Sequence, residues 1–139
     1  MNKKLYGKGL KDSFLKLNYI NLNVKKSMDY TVEEVNGVTV INVNARRAIA
    51  ENAKDLKALI FDLVEKKNVK KIALDLSAVE FADSSFLGAI VSGLKKITAV
   101  KGDIKILGLQ PPVRAMFELT RLYKVFEIFD NKDDAINSF

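Results

Sequence analysis

The stretch that decides the fold is FADSSFLGAIVSGLKK, residues 81–96, in which two adjacent serines separate a strand pattern from a helix pattern. The run before it, KKIALDLSAVE, is apolar at every second position of its centre, at Ile72, Leu74 and Leu76, with Ala73 also apolar. A nearly continuous apolar run of this length is typical of a strand that is covered on both faces. We therefore predict a buried central strand whose far end is the acid-serine-serine turn.

The residues after Asp83 predict an amphipathic helix. Their apolar positions change to a helical period, at Leu87, Ile90, Val91, Leu94, Ile97 and Thr98. Asp83 or Ser84 is the natural N-cap, since both side chains can accept a hydrogen bond from the first turn. Small residues occupy the face opposite the predicted core, at Ser85, Gly88, Ala89 and Ser92. We expect either a docking surface that begins at Ser84 or crowding by another part of the same chain.

Composition predicts one domain without catalytic machinery of the usual kinds. The chain has 139 residues, of which 48% are hydrophobic, and it contains no Cys and no His. These absences exclude thiol nucleophiles, Ser-His-Asp catalysis and the usual zinc sites. No apolar run is long enough for a transmembrane helix, and no signal-peptide core follows Met1. We expect a cytoplasmic protein that needs no cofactor or metal.

The net charge of +6 is confined to one end of the sequence. Residues 1–27 contain seven Lys and one Asp, whereas the remaining residues contain 16 basic and 16 acidic side chains. A chain whose body is neutral has no general attraction for nucleic acid, and we predict none as a partner. We expect residues 1–27 to be a disordered basic extension and residues 28–139 to form the domain. A basic arm that touches a membrane or an acidic partner is the alternative.

The domain is predicted to begin with an antiparallel hairpin. Two strand-like runs, DYTVEEV and VTVINV, flank Asn36-Gly37, which is the strongest two-residue hairpin signal. Residues 50–67 then predict a helix that covers a sheet, because apolar residues recur at helical spacing. These inward positions are Leu56, Leu59, Ile60 and Leu63.

The second half of the chain alternates between strand and helix patterns. We expect Gly102 to end the helix after the serines, DIKILGL (103–109) to be a strand, and Pro111-Pro112 to open a short helix with Val113, Met116 and Phe117 inward. A last strand or extended segment over 123–129 and a closing helix over 132–139 complete the pattern. This alternation predicts an α/β fold with a largely parallel sheet and the hairpin at one side. Sites in such folds follow the carboxyl ends of strands, and the two serines lie in such a loop.

Known strand-loop-helix chemistries do not fit this loop. The sequence has no GxxxxGK or GxGxxG phosphate loop, and Asp75 lacks the acid pair that an aspartate-phosphorylated receiver needs. Ser84 lacks a GxSxG context and a histidine base, so we do not expect an enzyme. Ser84 can instead be the substrate of another protein's kinase. A phosphate there would lie at the positive end of a helix and add about −1.5 to −2 charge beside Asp83. The alternative interpretation is that Asp83 and Ser84 only cap the helix and that Ser84 is not phosphorylated.

Two blocks of the sequence, IALDLSAVEFADSSFLGAIVSGLKK and GDIKILGLQPPVRAMFELTRLYKVFEIF, resemble the STAS domain of bacterial anti-sigma factor antagonists. The resemblance runs from about Tyr30 to the C-terminus and is most specific at Asp83-Ser84-Ser85, Leu87-Gly88 and residues 112–114. It implies a single domain with a small mixed β-sheet, an N-terminal hairpin and about four flanking helices. It further implies that an anti-sigma factor serine kinase binds the dephosphorylated chain and is released on phosphorylation of Ser84. A serine phosphatase then restores binding.

The sequence departs from the family pattern at two places. Phe86 replaces the usual glycine after the two serines, and we expect its ring at the flank of the core face. Ala45-Arg46-Arg47-Ala48 replace the Gly-x-Leu-Asp that the family tends to have after the second strand, so the acidic residue is missing at Ala48, in a loop that we expect near Ser84. Arg46 and Arg47 can instead favour the phosphorylated form or a different acidic partner. The predicted partner-binding residues are Asp83, Ser84, Ser85, Phe86, Gly88, Ala89 and Ser92. The alternative function is a STAS scaffold subunit of a membrane transport or stress-sensing complex, in which Ser84 is only a cap.

Overall fold

The structure is a computed structural model that describes residues 29–139. The basic extension predicted over residues 1–27 lies outside this part of the chain. The described residues begin with the predicted hairpin, in which β1 (Tyr30–Val35) and β2 (Val38–Val43) pair antiparallel. Asn36 and Gly37 both have positive φ angles, 52° and 82°, as a two-residue type I′ turn requires. The hairpin prediction is confirmed.

Helices and strands then alternate in the predicted order. The elements are β3 (Arg47–Ala48), α1 (Ala50–Lys67), β4 (Lys71–Asp75), β5 (Phe81–Ala82), α2 (Ser84–Thr98), β6 (Asp103–Leu107), α3 (Pro111–Leu119), a 3₁₀ turn (Leu122–Lys124), β7 (Ile128–Phe129) and α4 (Lys132–Asn137). The main sheet has the order β1-β2-β4-β6-β7, and every pair after the hairpin is parallel. The prediction of a largely parallel sheet with the hairpin at one side is confirmed.

Helices cover the main sheet on both faces. Ile72 and Leu74 of β4 belong to a large core that includes residues of α1, α2 and α3. Ala73 points to the other face, where it packs in a smaller core with Ala135 and Ile136 of α4. All three β4 residues are fully buried, which confirms a central strand that is covered on both faces.

The strand predicted over 103–109 ends at Leu107, the closing helix predicted over 132–139 ends at Asn137, and three further boundaries differ from the predictions. The central strand ends at Asp75, before the serine turn, because the Asp75 carboxylate accepts hydrogen bonds from the backbone N–H (2.9 Å) and the hydroxyl (2.6 Å) of Ser77 and starts a turn. The helix after the serines ends at Thr98, not at Gly102. Gly102 lies against β4, where a Cβ atom would come within 2.5 Å of the Lys70 carbonyl oxygen. The segment 123–129 is largely 3₁₀ turn and loop, and only its last two residues form a strand.

Candidate partner-binding site around Ser84

The serine turn is held by a second, two-stranded sheet. Strands β3 and β5 pair in parallel, with Arg47 opposite Phe81 and Ala48 opposite Ala82. The N–H of Asp83 also donates to the Ala48 carbonyl oxygen at 3.1 Å. The loop after the hairpin therefore lies beside the serine turn, as expected from the sequence.

The start of α1 braces this loop from the other side. The Ile49 N–H, directly after β3, donates to the Asn52 side-chain oxygen at 3.0 Å, and the Asn52 amide group donates to Asp29 at 2.7 Å. The Tyr30 hydroxyl donates to the Asn52 carbonyl oxygen at 2.5 Å, and burial raises the pKa of this hydroxyl. These bonds join the start of β1, the end of β3 and the first turn of α1.

The N-cap of α2 is Asp83. Its carboxylate accepts a hydrogen bond from the Phe86 N–H at 2.9 Å, which satisfies one of the free N–H groups of the first turn. Ser84 is the first helical residue, so the alternative prediction of Ser84 as the cap is wrong. Both serine side chains are exposed, and within residues 29–139 neither the Ser84 nor the Ser85 hydroxyl makes a hydrogen bond.

The buried face of α2 is rotated relative to the predicted one. Its buried residues are Phe86, Leu87, Ala89, Ile90, Gly93 and Ile97. Ala89 is only 6% exposed, so the prediction that it faces outward is wrong, and Phe86 lies fully inside the core rather than at its flank. The cause is close packing of α1 on α2, since a Cβ atom at Gly93 would lie 2.7 Å from Ile60. A glycine in the buried face gives no hydrophobic signal, and this shifted the predicted face.

The predicted partner surface is therefore smaller than the sequence indicated. Ser84, Ser85 and Gly88 are exposed, whereas Asp83 and Ser92 are half-buried. A Cβ atom at Gly88 would meet no other atom within 4 Å, so no described part of the chain crowds this position. The side chains of Phe86 and Ala89 can support such a surface from below but cannot themselves contact a partner.

Four side chains lie beside the serines, and of these Glu80 and Phe81 were not predicted as part of the site. Phe81 is 43% exposed, and the Arg47 guanidinium lies over its ring, 4.8 Å from the centroid. Arg46 donates two hydrogen bonds to Glu80, at 2.9 and 3.1 Å. This pair lowers the pKa of the Glu80 carboxyl and raises the pKa of Arg46. No sequence signal placed Glu80 and Phe81 in the site, because each strand of the β3–β5 pair has only two residues.

Comparison with known proteins identifies the family. The sequence model of the STAS domain family matches residues 29–135 of this chain. The chain belongs to the STAS domain family. The anti-sigma F factor antagonist of Paenibacillus polymyxa is 24% identical over 111 residues, which make up 79% of this chain and 93% of that protein.

Solved structures share the STAS fold of this chain. The crystal structure of an anti-sigma factor antagonist from Mycobacterium paratuberculosis is 28% identical, with a TM-score of 0.71, and the match covers 78% of this chain and 91% of that one. Bacillus SpoIIAA, solved in its phosphorylated form, is 21% identical, with a TM-score of 0.64 and coverage of 78% and 97%. The predicted fold class and family resemblance are confirmed.

The described part of this STAS domain contains neither a candidate metal-binding cluster nor a helix that could span a membrane. Within residues 29–139, no group of three or more His, Cys, Asp or Glu side chains could hold a metal ion. None of the helices there has the length and apolar character needed to cross a membrane.

Proposed function

We propose that this STAS protein is a cytoplasmic anti-sigma factor antagonist that acts by partner switching and is not an enzyme. The named relatives that match most of its length are anti-sigma factor antagonists. In this proposal, the dephosphorylated chain binds an anti-sigma factor serine kinase. Phosphorylation of Ser84 ends that binding, and a serine phosphatase restores it.

The observation that carries the proposal is the division of roles between Asp83 and Ser84. Asp83 caps α2, while the Ser84 hydroxyl is exposed and has no hydrogen bond to any described residue. A kinase can therefore use this hydroxyl without breaking a contact within residues 29–139. The Ser84 oxygen would attack the γ-phosphorus of ATP, the hydroxyl proton would pass to a base of the kinase, and ADP would leave.

The position of the phosphate explains how binding would end without unfolding. A phosphate on the first helical residue lies at the positive end of the helix dipole, where an anion is stabilised. The same group adds about −1.5 to −2 charge to the surface formed by Asp83, Ser84, Ser85, Gly88 and Ser92. A partner packed against this surface would have to bury that charge, which is strongly unfavourable without a matched cation. The domain thus stays folded while the complex dissociates.

The first test of this function is the site of phosphorylation. We expect the anti-sigma factor kinase encoded in the same genome, with ATP, to add one phosphoryl group that peptide mass spectrometry locates on Ser84. Ser84→Ala should abolish the label, whereas the matched control Ser85→Ala should retain it, since both hydroxyls are exposed and neither bonds to a described residue. A label on another residue, or none, contradicts the proposal.

The second test is the affinity of the two forms for the kinase. We expect the phosphorylated chain to bind at least about tenfold more weakly, because each tenfold change needs only about 1.4 kcal/mol and a buried charge costs more than that. Isothermal titration of both forms with a kinase variant that cannot transfer phosphate measures the difference. Equal affinities would favour the alternative, a STAS scaffold without a switch.

A further inference from the structure

We propose that Arg47 binds the phosphate group of phosphorylated Ser84, an inference that rests on the proposed phosphorylation of this residue. The first observation that supports this proposal is the register of the two-stranded β3–β5 sheet. Arg47 lies opposite Phe81 in the β3–β5 pair, and Ser84 follows Phe81 by three residues. Three residues span at most about 11 Å, a gap that an arginine side chain and a phosphoserine can close from both ends.

The position of the Arg47 head group is the second observation. Its guanidinium lies 4.8 Å from the centroid of the Phe81 ring, on the strand that leads into the serine turn. An aromatic face attracts a cation and leaves its N–H donors able to bind an anion. The guanidinium fork matches the geometry of a phosphate better than a lysine does. Arg47 is therefore held on the strand pair that leads into Ser84, and no residue within 29–139 accepts a hydrogen bond from its guanidinium.

The neighbouring charges are the third observation. Arg46 is engaged with Glu80 at 2.9 Å, and Arg114, on the α3 helix that packs against β5, pairs with Asp130 at 3.5 Å. The Asp83 carboxylate accepts the capping hydrogen bond from Phe86. Arg47 makes no ion pair with any residue in the 29–139 range. Of Arg46, Arg47 and Arg114, Arg47 alone has no carboxylate partner in this part of the chain.

This arrangement would make phosphorylation change two features of the surface. The phosphate adds negative charge at Ser84, and its ion pair neutralises the Arg47 guanidinium, which has no carboxylate partner within residues 29–139. It also orders the phosphorylated turn against β3.

The test uses the full-length chain with phosphoserine encoded genetically at position 84, so that no kinase is required. Phosphorus NMR titration reports the second pKa of the phosphate, which is about 6 without a nearby charge. A neighbouring cation lowers such a pKa. We expect a value below 6 in the parent chain and a rise of about 0.5 to 1 in Arg47→Ala. Arg47→Lys should recover part of the lowering, and the difference should shrink at high salt.

Two control variants make the result specific. Arg46→Ala and Arg114→Ala remove the neighbouring arginines that are already paired, and each should leave the phosphate pKa within about 0.2 of the parent value. An unchanged pKa in Arg47→Ala, or an equal rise in either control, would overturn the proposal. Thermal unfolding of unphosphorylated Arg47→Ala checks that the fold is intact. Because the phosphate is encoded, a chain that no kinase modifies still tests Arg47, and failure of either proposal can be recognised separately.

Discussion

The carboxylate of Asp83 holds the first turn of α2, and the hydroxyl of Ser84 beside it bonds to nothing within residues 29–139. Two adjacent polar residues thus differ in what the fold requires of them. Loss of Asp83 would remove a cap, which typically costs about 1 kcal/mol, whereas loss of the Ser84 hydroxyl should cost the fold little. A residue on which the fold does not depend can be modified without destabilising the protein, and this is what a switch needs.

The ion pair between Arg46 and Glu80 gives a prediction about the pH dependence of stability. The hydrogen bond from Arg46 lowers the pKa of Glu80 in the folded chain. The pair therefore stabilises the fold above the ordinary glutamate pKa of about 4.3, and this contribution is lost as the pH falls through the lower, folded value. NMR titration should show the Glu80 pKa below 4.3 in the parent and a rise toward about 4.3 in Arg46→Ala. A Glu80 pKa that is unaffected by Arg46→Ala would show that the pair does not persist in solution.

Among the elements, those defined by local signals could be predicted from the sequence. The Asn36-Gly37 turn follows from two residues, and α1 was predicted with its observed bounds from its apolar period. Its inward positions, Leu56, Leu59, Ile60 and Leu63, are all buried. Local chemistry and spacing were sufficient because each of these elements is determined by residues close together in the sequence.

The elements that depend on distant residues could not be predicted in the same way. The β3–β5 pair joins two-residue strands more than 30 positions apart, and it places Arg47 against Phe81. The rotation of α2 depends on how Ile60 of α1 fits against Gly93. Ser84 and the Arg46-Arg47 loop were singled out in the sequence, whereas Glu80 and Phe81 became visible beside them only through tertiary pairing.

Two glycines of α2 give a matched prediction about this helix. Gly88 is exposed and a Cβ atom there would meet nothing within 4 Å, whereas a Cβ atom at Gly93 would lie 2.7 Å from Ile60. Gly88→Ala should therefore raise the free energy of unfolding by about 0.5–1 kcal/mol through helix propensity. Gly93→Ala should lower it, by about 1–3 kcal/mol, because the buried Ile60 side chain or the two helices would have to shift. Urea unfolding of both variants measures these changes.

The same pair of variants separates stability from binding. If Gly88 allows a partner to approach closely, Gly88→Ala should weaken kinase binding although it stabilises the fold. Titration of the more stable variant with the kinase would then give a lower affinity than that of the parent. An unchanged affinity would show that the partner does not contact this turn of α2, and a loss of stability would contradict the open surface at Gly88.

For the molecule as a whole, the main sheet separates two hydrophobic cores, one on each of its faces. Helices α1 and α2 pack on the face that adjoins the serine turn, and α4 packs on the opposite face. The continuous apolar run of β4 indicated from the sequence that helices cover this strand on both faces. Because they do, α4 and the serine turn lie on opposite sides of the sheet. A change confined to the α4 face should therefore affect stability without affecting the Ser84 surface.

Lys105 provides the test of this separation. Its side chain on β6 is only 7% exposed, and its ammonium group donates to the carbonyl oxygen (2.9 Å) and hydroxyl (3.0 Å) of Ser138 and pairs with Glu127 at 2.8 Å. The Phe139 ring lies over the same group, at 4.6 Å. Lys105→Ala removes bonds to a charged donor, which are worth about 1.5–3 kcal/mol, and should destabilise the domain by a similar amount.

The effect of Lys105→Ala should be concentrated at α4. Hydrogen exchange of the Ala135 and Ile136 amides should accelerate more than that of the β4 amides, since Lys105 joins β6 to the residues that end α4. Lys124→Ala, at an exposed lysine of the 3₁₀ turn, is the matched control and should change neither quantity. Affinity for the kinase should remain at the parent value in both variants, because the sheet lies between Lys105 and the serine turn. A weaker complex in Lys105→Ala at temperatures where it is folded would show instead that the two faces are coupled through β4 and β6.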